Sequence, residues 1–301
     1  MKKYLNIFLK RRLTLIFIFA LSAIGSIMVI ATTYLGGIFV DNLIEATHIN
    51  EVFPTLLIFI GISILSILLQ SAASLVFTPT KERIKYDMKI YIFNNISNKD
   101  SNSVYNSKSI DEDTTQITSF FMDNYSMTLI KAIEIIVVGF IVFSINWHIG
   151  IIMLVICPIY FGLYVLFRKP IFNKSLHMRE KSAEFFRDYT SALELKREED
   201  FIGKSFLSYF RKYKEYLIVN VMLNSSQSFI LGAVQIIIFF IGGMAVINGY
   251  TTIGLLSILM IYFNQVIGNI SYYLNLSRMW QVTNASINRL DTIINQNSNK
   301  G

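Results

Sequence analysis

Six long apolar segments constrain this 301-residue chain more than any other feature of its sequence. A helix that crosses the hydrocarbon core of a bilayer needs about 20 mostly apolar residues, and each segment reaches or approaches that length. Hydrophobic residues make up 53% of the chain and charged residues 16%, so the chain is too apolar to be a water-soluble domain of this size. We therefore predict an all-α membrane protein with spans at about residues 13–40, 52–77, 128–145, 149–167, 225–247 and 252–277.

Basic residues are distributed unevenly between the two ends of these spans. The short turns after the first, third and fifth spans contain no Lys or Arg, and of the 27 basic residues all but Lys131 lie at the other ends. By the positive-inside rule, the N-terminus, the two long loops and the C-terminus are cytoplasmic. The first span follows a basic stretch, as a signal peptide does, but it is too long for one and we expect it to be retained. The sequence thus predicts a multi-pass protein of the cell membrane.

The composition also argues against several other classes of protein. Cys157 is the single cysteine, which rules out a disulfide framework and a cysteine-based metal site. The three histidines lie far apart and show no metal-ligand spacing. The net charge of +7 is spread between apolar segments instead of concentrated in one domain, which does not favour nucleic-acid binding. We expect no metal site, no catalytic residue and no nucleic-acid partner.

Two connections are much longer than a turn between neighbouring helices requires. They cover about residues 78–127 and 168–224, and each has helical apolar spacing. Their only prolines, Pro79 and Pro170, lie close to the membrane exit, so helices can continue from the bilayer into the cytoplasm. We expect each loop to form two helical arms with a reversal at the tip, at about residues 97–109 and 185–194.

The arms have two interpretations at this point. They can be solvated helices without a partner, or they can reach a partner below the membrane. The carboxylates Asp111, Glu112 and Asp113 are most simply a solvated helix start, where negative charge is favourable.

Polar residues inside the spans recur on helix faces. In the sixth span Asn264, Gly268, Ser271 and Asn275 share one stripe, which Gln265 and Asn269 widen. Such a face can line a substrate cavity or can pack against another helix, and the sequence leaves both open. The fifth span has a similar face and the second span has one isolated polar position. The candidate cavity residues are Gln70, Asn224, Ser228, Gln235, Asn264, Gln265, Ser271 and Asn275.

Lys131 and Glu134 stand three residues apart on the third span, which is the spacing of neighbours on a helix. Counting along the helix from the turn at Asn146 places both in the inner leaflet, where Lys131 can extend to the headgroups. We interpret them as a structural pair and not as part of an ion pathway.

Several segments resemble the transmembrane domain of ABC exporters. The resemblance is strongest for NGYTTIGLLSILMIYFNQVIGNI at 248–270, where Gly249, Thr252 and Gly254 are in place. It extends to GGIFVDNLI with Asp41, and to the segments KERIKYDMKIYIFNNI, NWHIGIIMLVICPIYF and NASINRLDTI at 81–96, 146–161 and 284–293. In this family two such membrane domains, identical or different, form the substrate pathway and work by alternating access.

The resemblance implies how the chain is organised. Residues 1–295 would form one transmembrane domain of the type 1 ABC exporter kind, followed by a tail at 296–301. The two loops would carry short coupling helices that dock on nucleotide-binding domains. The coupling candidates are Lys99, Asp100, Val104 and Tyr105 in the first loop, and Phe185, Phe186, Asp188 and Tyr189 in the second.

An ATP-binding motif is absent from these 301 residues. No GxxxxGK[ST] loop occurs, so we expect no ATPase site on this chain, and ATP with Mg²⁺ would bind to a partner ATPase domain that is encoded separately or lost by truncation. Two alternatives remain, a catalytically inert membrane binding or immunity protein derived from an exporter, and an ATP-independent carrier. The resemblance favours a peptide as the transported substrate, and lipids and amphipathic drugs would also suit an uncharged polar cavity.

Overall fold

The computed structural model describes residues 7–95, 103–195 and 199–298 of the chain. Within these ranges the regular structure is helical and no strand occurs. There are six long helices, each with a stretch long and apolar enough to cross a membrane. The predicted all-α architecture with six membrane helices is confirmed. The helices are α1 Arg12–Glu45, α2 Ile49–Asn95, α3 Ser103–Ile145, α4 Trp147–Leu195, α5 Glu199–Ile247 and α6 Ile253–Ser298.

The helices α2 to α6 are longer than a bilayer is thick. The 49 residues of α4 extend over roughly 70 Å at about 1.5 Å per residue, whereas the hydrocarbon core measures about 30 Å. Pro79 and Pro170 lie inside α2 and α4 and do not end them. The turns after α1, α3 and α5 are short, so the excess length lies at the opposite ends, as predicted for the two helical arms. We call these ends the arm side and the others the turn side.

The chain divides into two compact units, one formed by residues 1–150 with 242–301 and the other by residues 151–241. In the first unit α1 packs against α2, α3 and α6, and α3 packs against α2 and α6. The second unit consists of most of α4 and α5.

On the turn side, a carboxylate of α1 caps the start of α6. The Thr252 hydroxyl accepts a hydrogen bond from the Leu255 amide at 3.2 Å, which is the usual role of an N-cap residue. The same hydroxyl donates to Asp41 Oδ2 at 2.5 Å, and the Gly254 amide donates to Asp41 Oδ1 at 2.7 Å. Because the N-terminus of a helix favours negative charge, Asp41 holds the end of α1 against the beginning of α6.

Glycines allow these two helices to approach each other closely. A Cβ atom on Gly254 would overlap the carbonyl oxygen of Gly37 and the carboxylate of Asp41, and one on Gly37 would overlap Ile258. Small residues at helix interfaces in membranes allow the two backbones to approach each other closely. Farther along the same contact, the buried Tyr262 hydroxyl donates to the Ile30 carbonyl oxygen at 2.8 Å.

The turn between α3 and α4 consists of one residue outside the helices, Asn146. Its side-chain oxygen accepts hydrogen bonds from the amides of His148 and Ile149 at 3.1 and 3.2 Å, which caps the first turn of α4. The tight turn expected from the sequence is present.

On the arm side, the first unit has an apolar core of its own beyond the membrane segments. The core joins the chain before α1 to α2, α3 and the end of α6, so these elements form one packed body. It consists of Ile7, Phe8, Leu15, Ile84, Met88, Ile92, Ile117, Met122, Ile287 and Leu290. Trp280 lies beside it, with its ring 5.5 Å from that of Phe120.

We predict that Gly254→Ala destabilises the first unit by about 1 to 3 kcal/mol, because the added methyl group has no space between α1 and α6. Thermal unfolding of the purified chain in detergent measures the effect. Gly243→Ala is the matched control, since a Cβ on this helical glycine meets nothing within 4 Å. Equal melting temperatures for the two variants would contradict the close approach of the helices.

Candidate functional site

The polar stripe predicted on the sixth span lies on a surface of the chain. Asn264, Gly268 and Asn275 are exposed and Ser271 is half-buried, because α1 and α3 pack on other faces of α6. Along the helix axis Asn264 lies about 16 Å from Ile253, and Asn275 about 33 Å. The stripe therefore runs from the middle of the membrane to the arm side. Polar residues in membrane helices usually face a water-filled cavity or another protein surface, so an exposed polar face of this kind suits contact with water, a ligand or a second protein.

Asn269 does not belong to this stripe, and the prediction that it widens the stripe is wrong. Its side chain is 2% exposed and donates a hydrogen bond to Glu134 Oε2 at 2.8 Å. The physical reason is rotation, since five residues from Asn264 turn the helix by about 140° toward its packed side. Gln265, the other widening residue, is half-buried.

Glu134 is the centre of a buried polar cluster between α1, α3 and α6. The residue is 6% exposed, and its carboxylate accepts hydrogen bonds from Lys131 Nζ at 3.0 Å, from Asn269 and from the Ser26 hydroxyl. A buried carboxylate is tolerated when donors surround it, and here there are three. Ser26 and Asn269 thus join the pair that the spacing of Lys131 and Glu134 predicted. Both are distant from Glu134 in sequence, so no local spacing indicates their contact with it.

The remaining cavity candidates belong to two places. Asn224 and Ser228 of α5 are exposed and Gln235 is half-buried, and all three lie in the second unit. Gln70 of α2 is exposed in the first unit, where its amide donates to the Ser66 hydroxyl at 3.3 Å. It is not isolated, as the sequence suggested, because it lines an open groove together with Ser71, Ser74 and Thr78.

Polar contacts also join helices of the first unit at the arm side of the membrane. Lys81 of α2 donates to both carboxylate oxygens of Asp123 on α3, at 2.7 and 2.8 Å. The Tyr272 hydroxyl of α6 donates to Asn124 Oδ1 at 2.8 Å and lies 3.0 Å from the Thr128 hydroxyl. Hydroxyl and amide groups of different helices stabilise such contacts in a membrane by about 0.6 to 2 kcal/mol each.

Farther out, α6 is tied to the first arm by an ion pair. Arg289 Nε donates to Asp113 Oδ2 at 2.9 Å, a second guanidinium nitrogen contacts Oδ1, and that nitrogen also donates to the Ser286 hydroxyl at 3.1 Å. Asp113 is 4% exposed, so the expectation of a solvated helix start is wrong for this residue. The reason is that α3 already begins at Ser103, which leaves Asp113 in a later turn that faces α6. Asp111 is exposed and pairs with Lys89.

The second arm does not reverse in the interval predicted from the sequence. The helix α4 continues to Leu195, so the interval 185–194 is helical and the expected reversal there is wrong. Residues 171–195 contain no glycine or proline to end the helix, and Phe185 packs against Phe206 and Tyr209 of α5 at ring distances of 5.7 and 6.1 Å.

The coupling candidates therefore lie at different distances from the tips. Phe185, Phe186, Asp188 and Tyr189 are in α4, roughly 9 to 15 Å along the axis before its end. Phe186 and Tyr189 are exposed there, whereas Asp188 accepts a hydrogen bond from Ser205 of α5 at 2.6 Å. In the first arm, Lys99 and Asp100 lie outside the described residues, and Val104 and Tyr105 lie in the first turn of α3.

A carboxylate joins α4 and α5 nearer the membrane. Glu215, which lies outside the apolar span of α5, accepts hydrogen bonds from Lys174 of α4 at 2.5 Å and from Lys212 at 2.8 Å. These two ammonium groups lower the pKa of Glu215 to about 2. The carboxylate is therefore ionised at every physiological pH and fixes the register between the two helices.

The pKa of Glu215 predicts a pH-dependent stability of this arm. A carboxylate with a depressed pKa contributes stability above its ordinary value of 4.5, and the contribution is lost as the pH falls through about 2. Glu215→Gln should lower the denaturant midpoint at neutral pH, and the difference from the unchanged protein should shrink below pH 4.5. Glu180→Gln is the control, because Glu180 contacts only His177 of its own helix among the described residues. A difference that stays constant down to pH 2 would contradict this assignment.

We also predict that the buried cluster is coupled energetically. Glu134→Leu leaves the Lys131 ammonium and the Asn269 amide without their acceptor, which should cost about 1 to 3 kcal/mol. The double variant Lys131→Leu/Glu134→Leu should lose less than the sum of the single losses, because removing both charges leaves no unpaired ion. Denaturant unfolding in detergent micelles measures the cycle, and strictly additive losses would contradict the coupling.

Comparison with known protein families identifies the fold that carries this site. Among the described residues no group of His, Cys, Asp or Glu could hold a metal ion. A search of curated proteins finds no match. The family model of the ABC transporter transmembrane region matches residues 15–270, which cover all of α1 except its first three residues, α2 to α5, and the first part of α6. The six membrane helices and this match together show that the chain is a multi-pass membrane protein and belongs to the ABC transporter transmembrane region family.

Proposed function

We propose that the chain is the membrane-spanning subunit of an ATP-driven ABC exporter and forms its substrate pathway by alternating access. The observation that carries the proposal is the exposed amide stripe of α6, from Asn264 to Asn275, in a chain of the ABC transmembrane family. The stripe is uncharged and rich in hydrogen-bonding groups. It suits a substrate that presents amides and hydroxyls beside apolar groups, and a peptide is the leading candidate.

The packing of α6 supports a mechanical link between this stripe and the arms. Asp41 holds the turn-side end of α6, Glu134 holds its middle through Asn269, and Asp113 holds its arm-side end through Arg289. Since Asp113 lies in the first arm, a displacement of that arm is transmitted to α6 through the ion pair and the apolar core around Met88. The same helix carries the stripe on its opposite face.

The energy source and the partners follow from the family. A coupled ATPase domain, on the same polypeptide or on another, would bind ATP and Mg²⁺ and would push on the tips of the arms. A second membrane subunit, identical or different, would complete the pathway. The uneven distribution of basic residues supports a place in the cell membrane with both termini in the cytoplasm.

Transport by the reconstituted native complex tests this function. Asn264→Leu/Asn275→Leu should reduce ATP-dependent uptake of labelled peptides into proteoliposomes about 10-fold or more, because two hydrogen-bonding groups of the pathway are removed. ATP hydrolysis without substrate should stay unchanged. Thr33→Val is the control, since this exposed hydroxyl of α1 donates to its own helix at Val29.

Two outcomes would overturn the proposal. One is a native complex that neither hydrolyses ATP nor carries out ATP-dependent uptake. The other is a complex in which the Asn264→Leu/Asn275→Leu variant transports every active substrate as fast as the unchanged protein does.

A further inference from the structure

The base of the second arm carries a concentration of positive charge that the exporter function does not use. Residues 168–176 of α4 and 211–218 of α5 contain six basic side chains and one carboxylate. The contact between Lys174 and Glu215 places these two stretches side by side. We call them the basic belt. Its basic residues are Arg168, Lys169, Lys174, Arg211, Lys212 and Lys214.

The belt differs from the rest of the same arm. Residues 177–210, which lie between the two stretches of the belt in the sequence, contain six basic and seven acidic side chains, so their charges nearly cancel. The positive charge of the second arm is therefore concentrated next to the membrane.

The belt also differs from the corresponding part of the first unit. There four basic side chains each have their own carboxylate partner, with Lys81 paired to Asp123, Lys85 to Glu82, Lys89 to Asp111 and Arg11 to Asp87. Lys10, Arg12 and Arg83 are exposed and form no ion pair among the described residues. Among the described residues, Lys174 and Lys212 are the only members of the belt that have a carboxylate partner, and it is the same one, Glu215. Arg168, Lys169 and Arg211 are exposed and form no ion pair within the described part of the chain.

Exposed apolar side chains lie among these charges. Phe172 of α4 is 51% exposed and Ile218 of α5 is 59% exposed. Taking Lys174 as the reference level, Arg168 lies about 9 Å toward the membrane and Arg211 about 6 Å toward the tip. The distance along the arm from Arg168 to Arg211 is therefore similar to the thickness of the headgroup layer, about 7 Å, plus the Debye length of about 8 Å over which the charge of the membrane surface acts in solution.

We propose that the basic belt binds the headgroups of anionic phospholipids in the leaflet on the arm side. The guanidinium and ammonium groups of Arg168, Lys169 and Arg211 pair with the phosphates, while Phe172 and Ile218 contact the first carbons of the acyl chains. Basic side chains close to an anionic surface are attracted in this way, and aromatic and aliphatic neighbours favour a lipid over a free phosphate ion. The inference uses the orientation proposed above and does not depend on the transport activity.

Lipid binding by the purified chain tests the proposal. We expect phosphatidylglycerol added to detergent micelles to raise the melting temperature more than phosphatidylcholine does, and native mass spectrometry to show bound phosphatidylglycerol. Arg168→Gln/Lys169→Gln/Arg211→Gln should weaken phosphatidylglycerol binding about 10- to 100-fold, because each basic residue near the surface contributes about 5-fold before screening by salt. Its affinity for phosphatidylcholine should not change.

A matched control removes three charges from the outer part of the same arm. Arg179→Gln/Arg187→Gln/Lys204→Gln changes three exposed basic residues that form no ion pair within the described residues, and it should bind phosphatidylglycerol as the unchanged protein does. If the belt variant does not fold, about 1 M salt applied to the unchanged protein gives the same test, because it reduces the Debye length to about 3 Å and should remove the preference for phosphatidylglycerol.

Three results would overturn the proposal. The first is equal stabilisation by the two lipids, and the second is an equal loss of binding in the belt variant and the control variant. The third is full replacement of the lipid by inorganic phosphate, which would identify a soluble anion as the ligand. None of these results bears on whether the reconstituted complex transports peptides, so this inference and the proposed function can fail separately.

Discussion

Hydrocarbon offers no hydrogen-bond partner to a peptide group, and the whole structure depends on this constraint. Each crossing satisfies its backbone within one helix, and α1 to α6 contain every described membrane crossing. The constraint ends at the membrane surface, but the helices do not. They continue for several turns into the arms because no glycine cluster or proline interrupts them there, as in residues 171–195 of α4.

The same constraint divides the polar side chains of the spans into two groups. Glu134, Asn269 and Ser26 meet inside the first unit and satisfy one another, so they hold α1, α3 and α6 together. Asn264 and Asn275 lie on the exposed face of α6, away from this cluster. One helix thus combines a packed polar side that stabilises the fold with an exposed polar side that suits a transport pathway.

Beyond the membrane, charged side chains have different roles in the two units. In the first unit, ion pairs such as those of Asp113 with Arg289 and of Asp87 with Arg11 join the arm to neighbouring elements. In the second unit, Glu215 joins α4 to α5, and the nearby cations Arg168, Lys169 and Arg211 have no carboxylate partner among the described residues. Internal neutralisation stabilises an arm, whereas an excess of positive charge attracts the anionic surface of the bilayer.

The sequence by itself determined the six helices, the short turns and the helical arms, because hydropathy and the lack of prolines act locally. It also placed Asn264, Gly268, Ser271 and Asn275 on one face of α6, because they share one helical phase, but it left open whether that face is exposed or packed. Only the tertiary structure decided that Asn269 faces Glu134 and that Asp113 is buried by Arg289, since these pairs are more than 100 residues apart. The continuation of α4 through residues 185–194 also involves a contact between helices, because Phe185 packs on Phe206 of α5 within the interval where a reversal was predicted. Local chemistry thus determines where helices form, and contacts between distant residues determine which of their polar groups are buried.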